Sequence, residues 1–380
     1  MKIILLAADF PPSLGGIQQY VLSLARALDE CGQDVHLVAT VQPGSDEFDA
    51  GLRVPVVRVA ARSKWDIWQK MRGAAIELAG GSPGAVVTAT KWFPEGPAAM
   101  QAARSLGGVS AMIGYDREFA LHGFNVIKWG MQRYVLGGCD IAYGITGFAA
   151  DGLLRMGAES SKIHRLGGGV DSQRFYPDTE AAERLRAELQ LQAQPVICTV
   201  SRLARHKGHP YVLQALRQVI EKLPETHYVI VGEGPYRPEL DRIVEQYNVG
   251  EHVTFAGRVS DEQLRAYYTM ADIMAMPSFD IPGHPNEGLG LTYLEANACG
   301  TPVIGADSGG VSETIADGVS GLLVPPRDHR ALAEALLKLL QDAEYAAKLG
   351  EYGRRRVLED FSWPRVAERF VNAVSTTGSQ

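Results

Sequence analysis

The sequence has few cysteines and no long apolar segment. Its 380 residues include four cysteines, Cys31, Cys139, Cys198 and Cys299, and none of these forms a Cys-x-x-Cys pair. Three of them lie in or beside apolar runs, which predicts reduced core cysteines rather than disulfides or a metal site. No apolar run approaches membrane-spanning length, and the first residues become acidic too early for a signal peptide. We therefore expect a cytoplasmic protein that touches a membrane at most peripherally, at its inner face.

An excess of basic residues and a dinucleotide fingerprint are also absent. The formal net charge is −7, which argues against a nucleic-acid-binding protein with a basic surface. Gly15-Gly16 lies between a strand pattern and a helix pattern, but the Gly-x-Gly-x-x-Gly spacing is not found there. Gly232-Glu-Gly234 lacks the third glycine and is read as a tight turn.

The chain is long enough for two α/β domains with separate cores. Apolar segments of strand length alternate with amphipathic helices, a pattern typical of parallel sheets with right-handed crossovers. A glycine triplet opens residues 167–177, where we predict a hinge. The predicted domains are residues 1–170 completed by 361–380, and residues 178–360.

A loop that ends at Glu287 leads through glycines into a helix that we predict from about Leu289 to Cys299. Gly288 and Gly290 have no Cβ, so their backbone can approach a ligand closely. The first amides of such a helix lack intrahelical partners and lie at the positive end of its dipole, which suits a diphosphate. Glu287 and Glu295, the latter about 9 Å along the helix, can accept hydrogen bonds from two separated hydroxyls of one nucleotide sugar. The alternative is a surface helix with two solvated glutamates.

Two basic residues follow another buried strand. Residues 195–203 read as that strand, and residues 209–223 as an amphipathic helix. Arg202 and Lys207 therefore lie at the carboxyl end of a strand, where open α/β sheets bind ligands. A guanidinium fork and an ammonium point charge suit a diphosphate leaving group.

These two segments together resemble the donor-site signature of family 4 retaining glycosyltransferases with the GT-B fold. The matching segments are Ser201-Arg202-x4-Lys207-Gly208, Glu287-x7-Glu295, Asp9–Tyr20, Gly169-Val-Asp171 and Ser308-Gly-Gly310. The resemblance thus covers almost the whole chain. Two motifs, Phe-Pro-Pro…Gly-Gly-Ile-Gln and Glu-Gly-Leu-Gly…Tyr-Leu-Glu-Ala, are similar to those of the family branch that mannosylates phosphatidylinositol mannosides.

The resemblance implies two Rossmann-like domains facing across a cleft, the first binding the acceptor and the second the nucleotide sugar. The expected catalytic residues are Arg202, Lys207 and Glu287. The expected substrate-binding residues are Gly15, Gly16, Tyr115, Asp116, Arg258, Val259, Gly288, Leu289, Gly290, Leu291 and Glu295. For Arg258, a solvated side chain is the alternative.

No cofactor is expected, because the nucleotide sugar is itself a substrate. No Asp-x-Asp metal motif is present. Two cations and a helix end can stabilise the charge that develops on the leaving diphosphate. We therefore predict a metal-independent reaction.

One position departs from the family pattern. Many relatives carry His-Gly-x-(Asp/Glu) at a strand end, where this chain has Ile113-Gly-Tyr115-Asp116. Tyr115, Asp116 and His122 are the candidates to replace the family histidine.

Residues 58–72 are a candidate for contact with the inner leaflet of a membrane. Residues 64–78 read as a helix with Trp65, Ile67, Trp68 and Met71 within one arc. The surrounding basic residues are Arg58, Arg62, Lys64, Lys70 and Arg72. Tryptophans among basic residues suit an anionic headgroup layer. The alternative is an ordinary helix packed on its own domain.

The expected reaction moves a hexose from a nucleotide diphosphate sugar to a lipid-linked or glycan acceptor, and the branch similarity favours GDP-mannose. One alternative is a UDP-sugar-dependent transferase of exopolysaccharide or glycolipid assembly. A nucleotide-sugar epimerase or a phosphorylase is disfavoured by the Glu-x7-Glu spacing. A non-catalytic nucleotide-sugar-binding protein is a further alternative, motivated by the missing histidine.

Overall fold

The computed structural model describes residues 1–13, 15–115, 126–281 and 289–377. The chain divides into two units, Met1–Gly169 with Trp363–Gln380, and Val170–Ser362. Each unit is built on its own parallel β-sheet. The predicted α/β class with two Rossmann-like domains is confirmed.

The first unit contains a seven-stranded sheet. Its strands are β1 (Lys2–Ala7), β2 (Asp34–Thr40), β3 (Val56–Val59), β4 (Val86–Ala89), β5 (Val109–Gly114), β6 (Ile141–Gly144) and β7 (Ile163–Arg165). They are ordered β3-β2-β1-β4-β5-β6-β7, and every pairing is parallel. The strand order reverses between β1 and β4, which creates a topological switch point at their carboxyl ends.

Six α-helices connect these strands in the described part of the first unit. They are α1 (Gly16–Glu30), α2 (Ser45–Ala50), α3 (Lys64–Ala79), α4 (Glu95–Leu106), α5 (Val126–Gly138) and α6 (Gly147–Arg155). The sequence pattern of α1 fixes its packing, because the apolar face with Tyr20, Val21, Leu24 and Leu28 is buried. The Ser63 side chain accepts a hydrogen bond from the Asp66 amide and thereby sets the start of α3.

The second unit contains a six-stranded sheet. Its strands are β8 (Val196–Val200), β9 (His227–Val231), β10 (Val253–Gly257), β11 (Ile273–Met276), β12 (Val303–Ala306) and β13 (Gly321–Val324). Their order is β10-β9-β8-β11-β12-β13. The switch point of this sheet therefore lies between β8 and β11.

Eight α-helices lie among the residues of the second unit that the structure describes. They are α7 (Thr179–Glu188), α8 (His209–Val219), α9 (Arg237–Tyr247), α10 (Asp261–Met270), α11 (Leu291–Ala298), α12 (Val311–Thr314), α13 (His329–Gln341) and α14 (Ala343–Asp360). The predicted capping box of Ser260 and Gln263 is confirmed at the start of α10. The last helix, α15 (Trp363–Thr377), returns to the first unit.

The segment between the units is packed at both ends. The Val170 amide donates to the Phe361 carbonyl oxygen at 2.7 Å. The Tyr20 hydroxyl donates to the Gly167 carbonyl oxygen at 2.6 Å. A Cβ atom on Gly169 would lie 2.5 Å from the Trp363 ring, so only glycine fits there. A hinge function for residues 167–177 stays a prediction.

The cysteine prediction is confirmed. Cys139, Cys198 and Cys299 are buried, Cys31 is exposed, and all four are free thiols. Burial raises the pKa of the Cys139 thiol to about 12. Within the described ranges, no helix is long and apolar enough to span a bilayer.

Candidate active site

Two loops meet at the switch point of the second sheet. The loop after β8 ends in a short 3-10 turn, Arg205–Lys207, and its His206 carbonyl oxygen accepts the Phe279 amide at 2.9 Å. Gly208 has a φ angle of +83°, and a Cβ atom there would lie 2.1 Å from the Pro277 carbonyl oxygen. The Lys-Gly step is therefore required by close contact with the loop after β11.

The loop after β8 carries the two predicted cations. Arg202 lies just beyond the strand and is exposed, and Lys207 is half-buried immediately before Gly208. Both therefore lie at the carboxyl end of the sheet, beside the switch point, as the sequence predicts. Their contact with a diphosphate stays a prediction.

A glycine pair on the neighbouring strand supports this loop. The loop after β8 continues to pair with the chain after β9, because the Leu203 amide donates to the Glu233 carbonyl oxygen at 2.9 Å. A Cβ atom on Gly232 would lie 2.0 Å from the Ser201 carbonyl oxygen, and one on Gly234 would lie 2.2 Å from that of Leu203. These glycines allow two backbones to approach, in agreement with the tight-turn interpretation.

A buried polar chain fixes the start of the same loop. His209 is fully buried, with Nε2 2.9 Å from the Ser201 hydroxyl and Nδ1 3.1 Å from the Tyr228 hydroxyl. The Tyr228 hydroxyl is in turn 2.7 Å from Thr199 Oγ1. Burial, followed by the charge of Lys207, lowers the pKa of His209 to about 3. The imidazole is therefore neutral, and it links the end of β8 to β9 through the Ser201 and Tyr228 hydroxyls.

Helix α11 begins in the predicted glycine-containing segment. Gly290 precedes its first residue, Leu291, with a φ angle of +63°, and Leu289 is buried while its carbonyl oxygen accepts from the Thr314 hydroxyl. No side chain of the described residues caps this N-terminus. Its first amides are the groups that the sequence analysis assigns to a diphosphate. Glu287 and Gly288, which complete the prediction, lie outside the described residues.

Glu295 is half-buried within α11 and already has one internal partner. Its Oε2 accepts the Tyr268 hydroxyl at 2.7 Å. Burial raises the pKa of the carboxyl group, and the Tyr268 hydrogen bond offsets part of that rise. Tyr268 thus orients the carboxylate from α10. Hydrogen bonding of Glu295 to a ribose stays a prediction.

The predicted nucleobase residues follow β10. Gly257 ends the strand with a φ angle of +68°, Arg258 is exposed, and Val259 is half-buried and packs against the core of the second unit. The exposure of Arg258 is compatible both with a substrate-binding role and with a solvated side chain, the two interpretations that the sequence leaves open.

The switch point of the first sheet contains a charged cluster centred on Asp9. Asp9 Oδ2 lies 3.1 Å from Lys91 Nζ and 2.5 Å from Gln18 Nε2, and Oδ1 accepts the Ser13 hydroxyl at 2.9 Å. These donors outweigh the effect of burial and lower the pKa of Asp9. Sequence analysis assigned no role to this cluster, although a carboxylate and a lysine after adjacent strands were a usable signal.

The predicted glycine pair of the first unit lies beside this cluster. Gly15 precedes the first turn of α1 and Gly16 begins it. A Cβ atom on Gly15 would lie 2.2 Å from Gln18 Oε1, whereas Gly16 has open space around it. The backbone at Gly16 is thus accessible to a substrate, although contact stays a prediction.

The position of the missing family histidine is a core position. Ile113 is fully buried, and Tyr115 is 3% exposed with its ring edge against Tyr20 at 5.9 Å. Tyr115 has a packing role here, and a contact with substrate stays a prediction. Asp116 and His122 lie outside the described residues.

The candidate membrane segment is only partly at the surface. Trp65 is 59% exposed, while Trp68 and Met71 are buried. The expectation was wrong for Arg58, which is buried and forms an ion pair with Asp49 at 2.7 Å. Arg58 also donates hydrogen bonds to the backbone carbonyl oxygens of Thr40 and Pro11, so its guanidinium group is used within the domain.

Aromatic rings extend from α3 to α5. Trp65 contacts Trp68 at 4.5 Å, and Phe93 links Trp68 to Trp92 through ring distances of 6.3 Å and 5.6 Å. Lys128 of α5 lies 6.0 Å from the Trp92 ring. Trp129 and Tyr134 of α5 are each 45% exposed. We call Trp65, Trp92, Trp129 and Tyr134 the aromatic surface.

Comparison with known proteins identifies the family. The family model for glycosyl transferases group 1 matches residues 182–356, and the glycosyl transferase 4-like domain model matches residues 15–169. A GDP-mannose-dependent alpha-(1-6)-phosphatidylinositol monomannoside mannosyltransferase of Mycolicibacterium smegmatis is 32% identical over 395 residues, covering 98% of each chain. The chain is a group 1 glycosyltransferase.

Other similar proteins agree with this family. The enzyme of the same description from Mycobacterium tuberculosis strain H37Rv is 30% identical, over 98% of this glycosyltransferase and 97% of the relative. Anabaena Alr3699/HepE in complex with UDP has a TM-score of 0.84 at 18% identity, over 99% of this chain and 100% of that one. Sucrose-phosphate synthase from Thermosynechococcus elongatus has a TM-score of 0.77 at 24% identity, over 100% and 99% of the two chains. At these identities the solved structures support the GT-B fold alone.

The two family models correspond to the two units of the glycosyltransferase. The 4-like model falls within Met1–Gly169 and the group 1 model within Val170–Ser362. In the part of the chain that the structure describes, no three His, Cys, Asp or Glu side chains cluster in a way that could hold a metal ion.

Proposed function

We propose that this glycosyltransferase moves mannose from GDP-mannose to a glycolipid acceptor of the phosphatidylinositol mannoside type, with retention of configuration. Two relatives with 32% and 30% identity over nearly the full length are described as GDP-mannose-dependent alpha-(1-6)-phosphatidylinositol monomannoside mannosyltransferases. The UDP-bound and UDP-glucose-bound neighbours have only 18% identity, so they carry no weight for the donor base.

The position of Arg202 and Lys207 carries the donor-site assignment. Both follow β8, at the switch point where open α/β sheets bind ligands. Close contacts of Gly208 and Gly232 and the Ser201–His209 hydrogen bond hold the loop. In the proposal, the two cations and the first amides of α11 bind the diphosphate. Preorganised donors of this kind are most effective when charge develops on the leaving group.

The reaction follows from these groups. The bond between the sugar C1 and the diphosphate oxygen breaks, and the acceptor oxygen forms the new bond on the same face. The acceptor proton passes to the departing phosphate oxygen, so no enzyme nucleophile is required. Arg202, Lys207 and the α11 amides neutralise the departing diphosphate, and the proposal therefore needs no metal ion. Glu287 is assigned to the sugar hydroxyls and Glu295 to the ribose.

The first unit is assigned to the acceptor. In the proposal, Gly15 and Gly16 contact the acceptor or the donor phosphates, and the Asp9 cluster lies at the same sheet edge. The remaining substrate-binding proposals are Tyr115 and Asp116 for the sugar, Arg258 and Val259 for the base, and Gly288, Leu289, Gly290 and Leu291 for the diphosphate.

A lipid acceptor requires the enzyme to reach a membrane surface. We assign this contact to the aromatic surface, because Trp65, Trp129 and Tyr134 are exposed. The exposed cations Arg62 and Lys64 adjoin Trp65, and Arg133 lies 5.0 Å from the Trp129 ring. Exposed tryptophans beside basic residues suit the headgroup layer of an anionic leaflet.

A transfer assay tests the proposal. Purified enzyme is incubated with GDP-mannose carrying a labelled sugar and with phosphatidylinositol mannoside vesicles, with and without EDTA. We expect labelled glycolipid in both conditions and an α-linked product. Transfer from UDP-glucose but not from GDP-mannose, or complete loss with EDTA, would contradict the donor assignment or the metal-independent mechanism, respectively.

A further inference from the structure

The first residue of α4 is a buried carboxylic acid with one unsatisfied oxygen. The side chain of Glu95 is 0% exposed. Its Oε1 accepts the Ala8 amide at 3.0 Å, whereas Oε2 has no hydrogen-bond partner among the described residues. Buried polar atoms are normally paired, so an orphaned carboxyl oxygen calls for an explanation.

The residues on either side of this hydrogen bond are closely packed. Gly96, the next residue, packs against α5 so closely that a Cβ atom would lie 2.7 Å from Val135 Cγ1. The Ala8 carbonyl oxygen accepts the Thr40 hydroxyl at 2.6 Å. Glu95 therefore links the start of α4 to the loop that follows β1 through one buried hydrogen bond.

That loop leads directly to the Asp9 cluster. Ala8 precedes Asp9, and Asp9 pairs with Lys91 at 3.1 Å. Among the charged groups, Lys91 lowers and Asp9 raises the pKa of Glu95, while burial has the largest effect and raises it to about 7. Lys91 thus acts electrostatically on the Glu95 carboxyl group, while its ammonium group donates a hydrogen bond to Asp9.

Other elements packed on α4 bring few charges toward Glu95. Strands β4 and β5 contain no charged residue. Arg72 of α3 donates to Gln101, one and a half turns farther along α4, and Lys128 and Arg133 of α5 lie over the Trp92 and Trp129 rings. The charged residue of β1, Lys2, pairs with Asp34. Asp9 and Lys91 are therefore the charged groups that act on Glu95.

We propose that Glu95 is a proton-dependent positioning residue for the acceptor: when neutral it leaves Lys91 on Asp9 and holds the Ala8–Asp9 loop, and when ionised it competes with Asp9 for Lys91. This inference rests on the proposed function, because it takes the Asp9 cluster as part of the acceptor site. Glu95 itself is buried and acts through Asp9 and Lys91, not on the substrate.

The test compares the parent with Glu95→Gln, which keeps an oxygen for the Ala8 amide but carries no charge. KM for the glycolipid and for GDP-mannose is measured from pH 5.5 to 8.5. One ionisation near pH 7 predicts that the parent's acceptor KM rises about tenfold between pH 6 and pH 8. The variant should keep a low acceptor KM throughout, and the KM for GDP-mannose should be the same in both proteins. Identical acceptor profiles for the two proteins would overturn the proposal.

A second measurement separates this proposal from the proposed function. The pKa of Glu95 is raised in the folded protein, from 4.5 to about 7, so its stabilising contribution is complete below pH 4.5 and is lost as pH rises through 7. The Tm of the parent should therefore fall relative to that of the variant between pH 5 and pH 8. A constant difference in Tm would overturn the proposal, even if no acceptor is ever turned over. If no mannose is transferred but the difference in Tm between the two proteins depends on pH, the acceptor role is contradicted. The protonation of buried Glu95 would then still be established.

Discussion

Gly208 lies so close to Pro277 that a Cβ atom built on it would be 2.1 Å from the Pro277 carbonyl oxygen. This contact joins the loops that follow β8 and β11, the two strands between which the order of the second sheet reverses. The glycine of the Lys-Gly step is therefore required by the packing at the switch point. The same contact fixes the backbone position from which the Lys207 side chain extends.

Replacing this glycine should disturb the loop more than backbone strain alone. In Gly208→Ala, a residue with Cβ must adopt a φ angle of +83°, which costs about 1 kcal/mol, and the loop must also move away from Pro277. Gly318→Ala is the matched control, because its φ angle is +69° and a Cβ there meets nothing within 4 Å. We expect Gly208→Ala to lower Tm more than Gly318→Ala does. Nucleotide binding should be weaker in Gly208→Ala and unchanged in Gly318→Ala. Equal effects of the two variants would show that the Pro277 contact is unimportant.

The buried imidazole predicts a second stability effect. In His209→Leu, the Ser201 and Tyr228 hydroxyls lose their partner, at a cost of about 1–3 kcal/mol that should lower Tm at neutral pH by several degrees. Because the pKa of His209 is lowered from 6.5 to about 3, its stabilising contribution is present above pH 6.5 and is lost as pH falls. The parent should therefore lose Tm relative to the variant between pH 7 and pH 4.5.

The control variant is His329→Leu, which replaces a half-exposed histidine at the start of α13. A His209→Leu protein with the same Tm as the parent at both pH values would contradict the role given to the polar chain.

The aromatic surface predicts how the enzyme binds vesicles. Burying a tryptophan side chain contributes about 1.5–3 kcal/mol, so Trp65→Ala and Trp129→Ala should each weaken binding to anionic vesicles about tenfold. Lys64→Gln should weaken it about fivefold, and more salt should erase that difference. Tyr352→Ala, which removes a 50% exposed aromatic residue from the second unit, is the control. Unchanged sedimentation of both tryptophan variants would exclude this surface.

Much of the fold follows from local sequence patterns. Strands such as β8 and β12 are continuous apolar segments, and α1, α8 and α13 have one apolar face, so their type and approximate bounds were predictable. Arg202 and Lys207 were predictable as switch-point residues, because a strand end in a parallel sheet has a known relation to ligands. The glycines after Glu287 predicted a helix start at about Leu289, two residues before Leu291, where α11 begins.

Other features depend on contacts between distant residues and were not predictable. The burial of the first turn of α4 was not predictable, because its Glu95, Gly96 and Pro97 are as buried as the alanines that follow. Arg58 was placed among surface cations, since nothing in its local sequence reveals the ion pair with Asp49. The links from Glu95 to Ala8 and from His209 to Tyr228 join residues 87 and 19 positions apart.

The measurement that tests the central claim most directly is titration of the purified enzyme with GDP-mannose in EDTA, by calorimetry. The account predicts that the parent binds GDP-mannose with higher affinity than UDP-glucose. The affinity for GDP-mannose should fall by more than tenfold in Arg202→Ala and in Lys207→Ala, because each variant lacks a cation assigned to the diphosphate. Arg217→Ala, which removes an exposed cation near the end of α8, should bind as the parent does. Equal affinity in the parent, Arg202→Ala and Lys207→Ala, or no binding of GDP-mannose at all, would contradict the donor-site assignment.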